Sequence, residues 1–359
     1  MSIDKIVIDS HSSSYSVLFD DELKMFQNFS NELNTFYLID QKVWNLYKPL
    51  FFNKIPSSQV LKIEAIEENK DFFALGNIIR QLTTVQAKKN LTIVAIGGGI
   101  IQDISGFIAS ILYRGIRWIY IPTTLLAQAD SCIGAKTSIN FEKHKNLLGT
   151  FWAPQEIWLS TKFIDTLETK DFYSGIGEIV KLFLIDGKTS LSYFDDFSFQ
   201  SETDFRNNIK ELLKPTLLIK KRFIEEDEYD KGIRNILNYG HCIGHAIESV
   251  TNYAIPHGQA VTLGMIWANI VSVKTQLLST EKMNHIYSSY LKKSHTISKD
   301  LISFDANQII SAMKRDKKRE GQDLAIILMD DNSNFNRIID LKEKVIADTF
   351  NEFYQLIVN

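Results

Sequence analysis

A chain of 359 residues is too long for one ordinary hydrophobic core and calls for two domains. With 45% hydrophobic and 23% charged residues and a formal charge of -3, it has a globular composition with no like-charge block, which argues against nucleic acid as a partner. Two cysteines, Cys132 and Cys242, cannot build a disulfide framework and fit small buried residues in a reducing compartment.

The N-terminal stretch MSIDKIVIDS has acidic residues among short apolar runs, lacks the apolar core of a signal peptide and predicts a first strand, so the expected location is cytoplasmic. FYLID (36–40), LTIVAIGGG (91–99) and WIYIPTT (118–124) predict buried strands. Between the first two, Phe73, Leu75, Ile78, Ile79 and Leu82 follow helical spacing, and strand, helix, strand in that order implies a parallel sheet. The most apolar region, from Leu91 to Ala127, is interrupted by Gln102, Asp103, Arg114 and Arg117, which argues against a membrane span. From about residue 170 the strand-like runs fade and long helical segments follow. The expected organisation is an α/β domain with a parallel, Rossmann-like sheet over residues 1–165 and an all-α domain over residues 166–359.

Gly97, Gly98 and Gly99 close an apolar strand, where glycine lets backbone N–H groups approach a phosphate. The third glycine of the usual dinucleotide fingerprint is absent, and a tight turn with no ligand explains the run equally well. Downstream, Asp130, Lys136, Lys145 and Asn146 lie in a segment that follows a strand end, a position that suits a phosphorylated or carboxylated ligand. A solvated lysine-rich loop is the plainer alternative, and Arg114 has the same two readings.

In the second half, a single helix over 233–250 would place Arg234, Asn238, His241, His245 and Glu248 on one face. Such a stripe faces water or lines a polar site. Gly240 and Gly244 would each cost about 1 kcal/mol inside a helix, so something must approach it closely. Histidine and carboxylate are the natural ligands for a metal here: His257, at the start of the next helix, can fold back towards His241, and Glu178 in GIGEIVK supplies an acidic third. Each is flanked by glycine, which favours a site over three unrelated structural residues.

From about Glu67 to Gln322 the motifs GGGxxxD, PTTLLxQxDSxxGxKTxxN, KNxxGxF, SGxxExxK, GxRxxLNxGHxxGHAIE, HGxAVxxGM and DKK occur in the order found in the 3-dehydroquinate synthases, a family of sugar phosphate cyclases, and the chain resembles that family. The resemblance implies an NAD-binding first domain, a helical second domain that holds zinc or cobalt, an active site in the cleft between them, and a homodimer. It assigns Glu178, His241 and His257 to the metal. To NAD it assigns Asp40, Glu67, Lys70, Gly97, Gly98, Gly99, Asp103, Thr123, Thr124, Asp130, Lys136, Lys145, Phe163, Thr166 and Leu167. To substrate it assigns Asp130, Lys136, Asn146, Lys181, Lys220, Arg234, Asn238, His245, Lys317 and Lys318, with Arg114 reaching the phosphate from the neighbouring subunit. The implied reaction turns 3-deoxy-D-arabino-heptulosonate 7-phosphate into 3-dehydroquinate and phosphate, through transient oxidation by NAD, β-elimination, reduction and an intramolecular aldol step.

The sequence departs from the family's pattern at several positions. Gln259 stands where glutamate is common, which removes a negative charge near the metal, and Gln102 and Ala135 occupy usual glycine positions. IGAKTSIN and LGTF also resemble valiolone-type cyclases, whereas His245, Arg234 and Asn238 favour a carboxylated substrate; aminodehydroquinate synthases share these residues. A metal-dependent polyol dehydrogenase is the alternative from another class, but it leaves the Arg/Asn/His stripe without a purpose.

Overall fold

The computed structural model describes residues 4–26, 34–84, 89–142, 144–197, 199, 201–315 and 324–358. The chain forms two compact units, one of Met1–Leu167 with Lys220–Tyr229 and one of Glu168–Ile219 with Asp230–Asn359. A single cut in the sequence does not describe this division, because ten residues of the second half belong with the first unit.

The first unit is built on a seven-stranded sheet: β1 (Asp4–Asp9), β2 (Ser14–Phe19), β3 (Thr35–Asp40), β4 (Val60–Ile63), β5 (Thr92–Gly97), β6 (Arg117–Pro122) and β9 (Glu156–Leu159), in the order β1-β2-β9-β6-β5-β3-β4. The β1–β2 pair is antiparallel and every other neighbouring pair is parallel. β5 is buried at all of its positions, so TIVAIG reads as a continuous apolar run with no polar alternation. Helices α1 (Gln41–Tyr47), α2 (Phe72–Thr84) and α3 (Gly99–Ile111) follow β3, β4 and β5. One core combines Tyr37, Ile39, Val94, Ile96, Ile119 and Ile121 of the strands with Trp44, Phe52 and Phe163.

Ile39 pairs with Ile96, and Gly97 with Pro122, so the carboxyl ends of β3, β5 and β6 lie side by side. These ends present Asp40, Gly97–Gly99 and Thr123–Thr124 along one edge, the usual ligand edge of a parallel sheet. The segment after β6 is more ordered than the loop expected from its sequence. Lys136–Phe141 (β7) and His144–Phe151 (β8) form an antiparallel hairpin that packs on α3.

The second unit contains α4 (Thr169–Asp186), α5 (Lys188–Phe197), most of α6 (Glu202–Glu226), α7 (His241–Val250), α8 (His257–Lys274), α9 (Thr280–Ser289), α10 (Ala306–Arg315) and α11 (Glu343–Val358). α8 is buried from Gly258 to Ser272, as a helix apolar on all sides must be, and α4, α7 and α11 pack around it. Two departures from expectation occur here. LAIILM and FNRIIDL form the antiparallel strands β10 (Leu324–Met329) and β11 (Phe335–Leu341), so the unit is helical with one hairpin added. Residues 233–250 are also not one helix: Ile233–Asn238 is a 3-10 turn, and Gly240, at φ +77, reverses the backbone before α7 begins at His241. Among the described residues no helix is long and apolar enough to cross a membrane.

Glycines set the spacing of α4, α7 and α8. A Cβ on Gly264 would sit 2.0 Å from the Gly240 carbonyl oxygen, one on Gly258 1.7 Å from the Ser174 oxygen, and one on Gly177 2.2 Å from the Gly258 oxygen. We expect Gly264→Ala to cost about 2–4 kcal/mol through overpacking against rigid backbone. Gly76→Ala, exposed in α2 with open space around it, should gain about 0.5–1 kcal/mol. Chemical denaturation of both variants checks this; a Gly264→Ala protein as stable as wild type contradicts the packing described.

Candidate metal centre and cofactor cradle

At the start of α3 the three glycines differ in why they are glycine. A Cβ on Gly97 would overlap Ile101, and one on Gly98 would approach the Thr124 methyl at 2.9 Å, so both are required by packing. Gly99 is exposed and a Cβ there would meet nothing within 4 Å. Neither a positive φ nor a neighbour explains it, and no side chain caps the first turn of α3. An open glycine at an uncapped helix N-terminus, on the carboxyl edge of a parallel sheet, is the shape that accepts a pyrophosphate.

Beside it, on the next turn of α3, Asp103 anchors a polar network. Its Oδ2 lies 2.6 Å from Lys70 Nζ, and Ser138 donates its backbone N–H to Oδ1 at 2.8 Å and its hydroxyl to Oδ2 at 2.9 Å. Burial raises the Asp103 pKa above the ordinary carboxyl value by more than Lys70 and Ser138 lower it. Lys70 also donates to Asn146 Oδ1 at 2.7 Å. Asn146, at φ +51, is held by its own N–H to Asn140 Oδ1, while Asn140 Nδ2 donates to Glu67 Oε1, both at 2.8 Å. Lys145 reaches the same Glu67 oxygen at 3.7 Å. The structure therefore joins Glu67, Lys70, Asp103, Lys145 and Asn146 through Ser138 and Asn140, two residues the sequence did not single out.

Other expected residues of this unit take varied positions. Asp40 accepts the Lys42 N–H as the cap of α1, and Thr123 donates its N–H to the Gly97 carbonyl. Lys220 pairs with Asp130 Oδ1 at 2.9 Å and also donates to the Asp130 carbonyl. Lys136 is exposed at the start of β7. Phe163 is buried in the core against Tyr47, the Thr166 hydroxyl lies 2.8 Å from the Tyr47 hydroxyl, and Leu167 is half-buried. Arg114 projects from a tight turn in which Tyr113 and Arg114 both have positive φ. Lys317 and Lys318 lie outside the described residues.

In the second unit, α4, α7 and α8 converge on Glu178. Its side chain is 0% exposed, and its contacts are the charged or chargeable groups of three side chains. Lys181, one turn on and 2% exposed, forms an ion pair with Oε2. His241 Nε2 and His257 Nε2 lie 3.6 and 3.4 Å from Oε1. Burial alone would raise the Glu178 pKa, but Lys181 and His257 outweigh it and hold the group ionised. Both imidazoles are oriented from behind: His241 Nδ1 lies 3.2 Å from the Tyr239 carbonyl oxygen, and His257 Nδ1 lies 3.1 Å from Glu248 Oε2. Burial would lower the His257 pKa, but Glu248 and Glu178 outweigh it and raise it to about 10, so a metal ion has to displace a proton here; once deprotonated, the two Nε2 atoms and the carboxylate form a donor set of two nitrogens and an oxygen that suits zinc or cobalt.

His245 completes a cluster of three imidazoles, whose ligand atoms with those of His241 and His257 all lie within 4.8 Å of one another. The stripe expected on one helix is thus divided. His241, His245 and Glu248 share α7, whereas Arg234, which is buried, and Asn238, whose amide donates to the Asn235 carbonyl, sit on the preceding 3-10 turn.

This combination of folds recurs in known sugar phosphate cyclases. A 2-deoxy-scyllo-inosose synthase solved with carbaglucose-6-phosphate, NAD+ and Co2+ matches over 97% of this chain and 100% of its own, with a TM-score of 0.82 at 23% identity. A 2-epi-5-epi-valiolone synthase from Streptomyces hygroscopicus subsp. jinggangensis 5008, solved with NAD+ and Zn2+, matches over 96% and 97%, with a TM-score of 0.78 at 20% identity. The fold is that of this class. Within it, residues 60–174 match the 3-dehydroquinate synthase N-terminal family and residues 175–319 the 3-dehydroquinate synthase C-terminal family. The 3-dehydroquinate synthase of Campylobacter fetus subsp. fetus (strain 82-40) is 32% identical over 360 aligned positions, covering 98% of this chain and 100% of the relative. The chain belongs to the 3-dehydroquinate synthase family.

The Asp103 network has a measurable energetic signature. Lys70→Met should cost about 2–4 kcal/mol, because it strands a largely buried carboxylate. Adding Asp103→Asn should recover part of that loss. Equal and additive losses from the two changes would show that the pair is not coupled.

Proposed function

We propose that this chain is a carbon–oxygen lyase that converts 3-deoxy-D-arabino-heptulosonate 7-phosphate to 3-dehydroquinate and inorganic phosphate, in the cytoplasm, as the second step of aromatic amino acid biosynthesis. The observation that carries the reading is the fully buried, ionised Glu178 carboxylate, whose Oε1 is faced by Nε2 of His241 and of His257 in a member of this family. Lys181 neutralises the carboxylate at Oε2, and the other oxygen, Oε1, faces the two imidazoles where a metal ion would be held.

Bound NAD would supply reversible hydride transfer at a substrate hydroxyl, which acidifies the neighbouring C–H, and a bound zinc or cobalt ion would supply Lewis acidity to substrate oxygens. Glu178, His241 and His257 would hold the metal. The α3 N-terminus at Gly97–Gly99 would hold the pyrophosphate of NAD through backbone N–H groups, with Asp40, Glu67, Lys70, Asp103, Thr123, Thr124 and Lys145 around the rest of the dinucleotide and Phe163, Thr166 and Leu167 towards its nicotinamide end. Asp103 belongs on this side because Lys70 and Ser138 fix its carboxylate beside the glycine run.

Lys136, Asn146, Lys181, Lys220, Arg234 and Asn238, with Lys317 or Lys318, are assigned to the anionic groups and hydroxyls of the substrate. Lys220 is already paired with Asp130, so a substrate carboxylate must share or displace that contact. His245 lies beside the imidazoles of His241 and His257 and outside the Glu178–His241–His257 set, and it is assigned to proton transfer.

The test is phosphate release from the heptulosonate phosphate, dependent on NAD, abolished by a chelator and without lasting NADH absorbance. Release only from the amino analogue or from sedoheptulose 7-phosphate would refute the substrate assignment, and net NADH from simple polyols would refute the reaction class.

A homodimer in which Arg114 serves the neighbouring subunit is part of the proposal, supported by the exposed, strained turn that presents it. Mixing inactive Arg114→Ala with inactive His257→Ala protein should restore part of the wild-type rate. A mixture as inactive as its components would argue that Arg114 acts within its own chain.

A further inference from the structure

We infer that Glu248 is the positioning residue of the metal centre: it fixes His257 as a ligand and supplies the negative charge that Lys181 removes from Glu178. The inference rests on the metal reading above and concerns a carboxylate outside the ligand set.

His257 is the first residue of α8, and its side chain is still 32% exposed. Such a ring needs a partner to choose its orientation and to choose which nitrogen keeps the proton. Glu248 Oε2, 3.1 Å from Nδ1, makes both choices, because a carboxylate only accepts. With Nδ1–H donated to Glu248, Nε2 is the nitrogen left to bind a metal, and it faces Glu178 Oε1 at 3.4 Å. His241 is fixed differently, by the backbone carbonyl of Tyr239 two residues earlier, an acceptor that no side-chain substitution removes. The orientation of His257 therefore depends on one side chain of another helix.

Charge gives the second argument. Glu178 and Lys181 form a buried ion pair whose formal charges cancel, so this pair alone offers a dication no net compensation. Gln259, two residues after His257, is neutral, and its amide is engaged with the Lys170 carbonyl at 2.8 Å and the Thr296 N–H at 2.9 Å. Glu248, 13% exposed and in contact with a ligand imidazole, carries the missing negative charge. A purely structural tether between α7 and α8 is redundant here, because backbone contacts at Gly240, Gly244 and Gly264 already join these helices.

The experiment measures zinc and cobalt affinity by chelator competition on the full-length metal-free chain and on Glu248→Gln, Glu248→Ala and Glu178→Ala, with the visible absorption of the cobalt forms and the unfolding midpoint of each metal-free form. We expect about 10- to 100-fold weaker binding for Glu248→Ala, the range typical of lost partners behind histidine ligands. Glu248→Gln should fall between it and wild type, since its amide oxygen still accepts from Nδ1–H but carries no charge. The cobalt spectrum should change in both, while the metal-free midpoints stay near wild type. Should Glu248→Ala fail to fold, Glu248→Gln decides alone. Wild-type affinity and an unaltered cobalt spectrum in the Glu248 variants overturn the assignment, as does a loss of affinity fully matched by destabilisation of the metal-free chain. Wild type that binds no better than Glu178→Ala overturns the metal reading itself, and the role of Glu248 with it.

Discussion

The structure of the second unit depends on how closely α8 can approach α4 and α7. Gly177 and Gly258 let α8 touch the backbone of α4, and Gly240, Gly244 and Gly264 let it touch α7. Four of these five glycines stand next in sequence to a residue of the centre: Gly177 precedes Glu178, Gly240 precedes His241, Gly244 precedes His245, and Gly258 follows His257. A glycine beside a ligand brings two helix axes close enough for short side chains to meet across the gap. With one Cβ inserted at these points the helices must separate, and a set of donors held to within about 0.5 Å of productive geometry loses its register.

Closeness alone would be unfavourable, because it buries charge. Glu178 and Lys181 are both removed from water, and such a pair rarely repays its desolvation unless the remaining valences are met. The unit meets them in layers. Lys181 takes one carboxylate oxygen, the two imidazoles face the other, and the outer nitrogens of those rings rest on a backbone carbonyl and on Glu248. The first unit meets the same problem with less complete burial: Asp103 keeps some solvent contact, and Lys70, Ser138 and Asn146 share the network that holds it.

Legibility in the sequence followed from how local each signal was. β3, β5 and β6 are buried on both faces and appear as unbroken apolar runs, so their strands and parallel order could be inferred. The β7–β8 hairpin could not, because KTSINF and HKNLLGTF carry the lysines and asparagines of a loop and owe their strand form to docking on α3. LAIILM had a strand's composition, but it lay among helices, and its pairing partner FNRIIDL interrupts its apolar residues with Asn336, Arg337 and Asp340. The periodicity over 233–250 suggested one helix because Arg234, Asn238, His241 and His245 do fall at helical intervals. The backbone breaks at Gly240, where φ is +77 and the carbonyl of Val261 lies 2.6 Å from where a Cβ would be. Gly240 and Gly244 mark a close approach, and the approaching group is α8. Glu248 was visible as a member of the stripe, but its contact with His257 depends on a helix that sequence spacing does not locate.

Two departures from the family's pattern, Gln102 and Gln259, have one physical explanation. Each replaces a residue with an amide, and each amide uses its donor and its acceptor at once. Gln102 donates to the Ser131 carbonyl and accepts the Ser131 hydroxyl, both at 2.6 Å. Gln259 donates to the Lys170 carbonyl and accepts from the Thr296 N–H. An ionised carboxylate at 259 would have nothing to donate to the Lys170 carbonyl and would leave two acceptors opposed in a buried place. The surroundings of residue 259 therefore select glutamine for its hydrogen bonds. What that choice withdraws is a negative charge near His257, so any compensation for a bound dication has to come from elsewhere in the unit, and Glu248 is the carboxylate placed to give it.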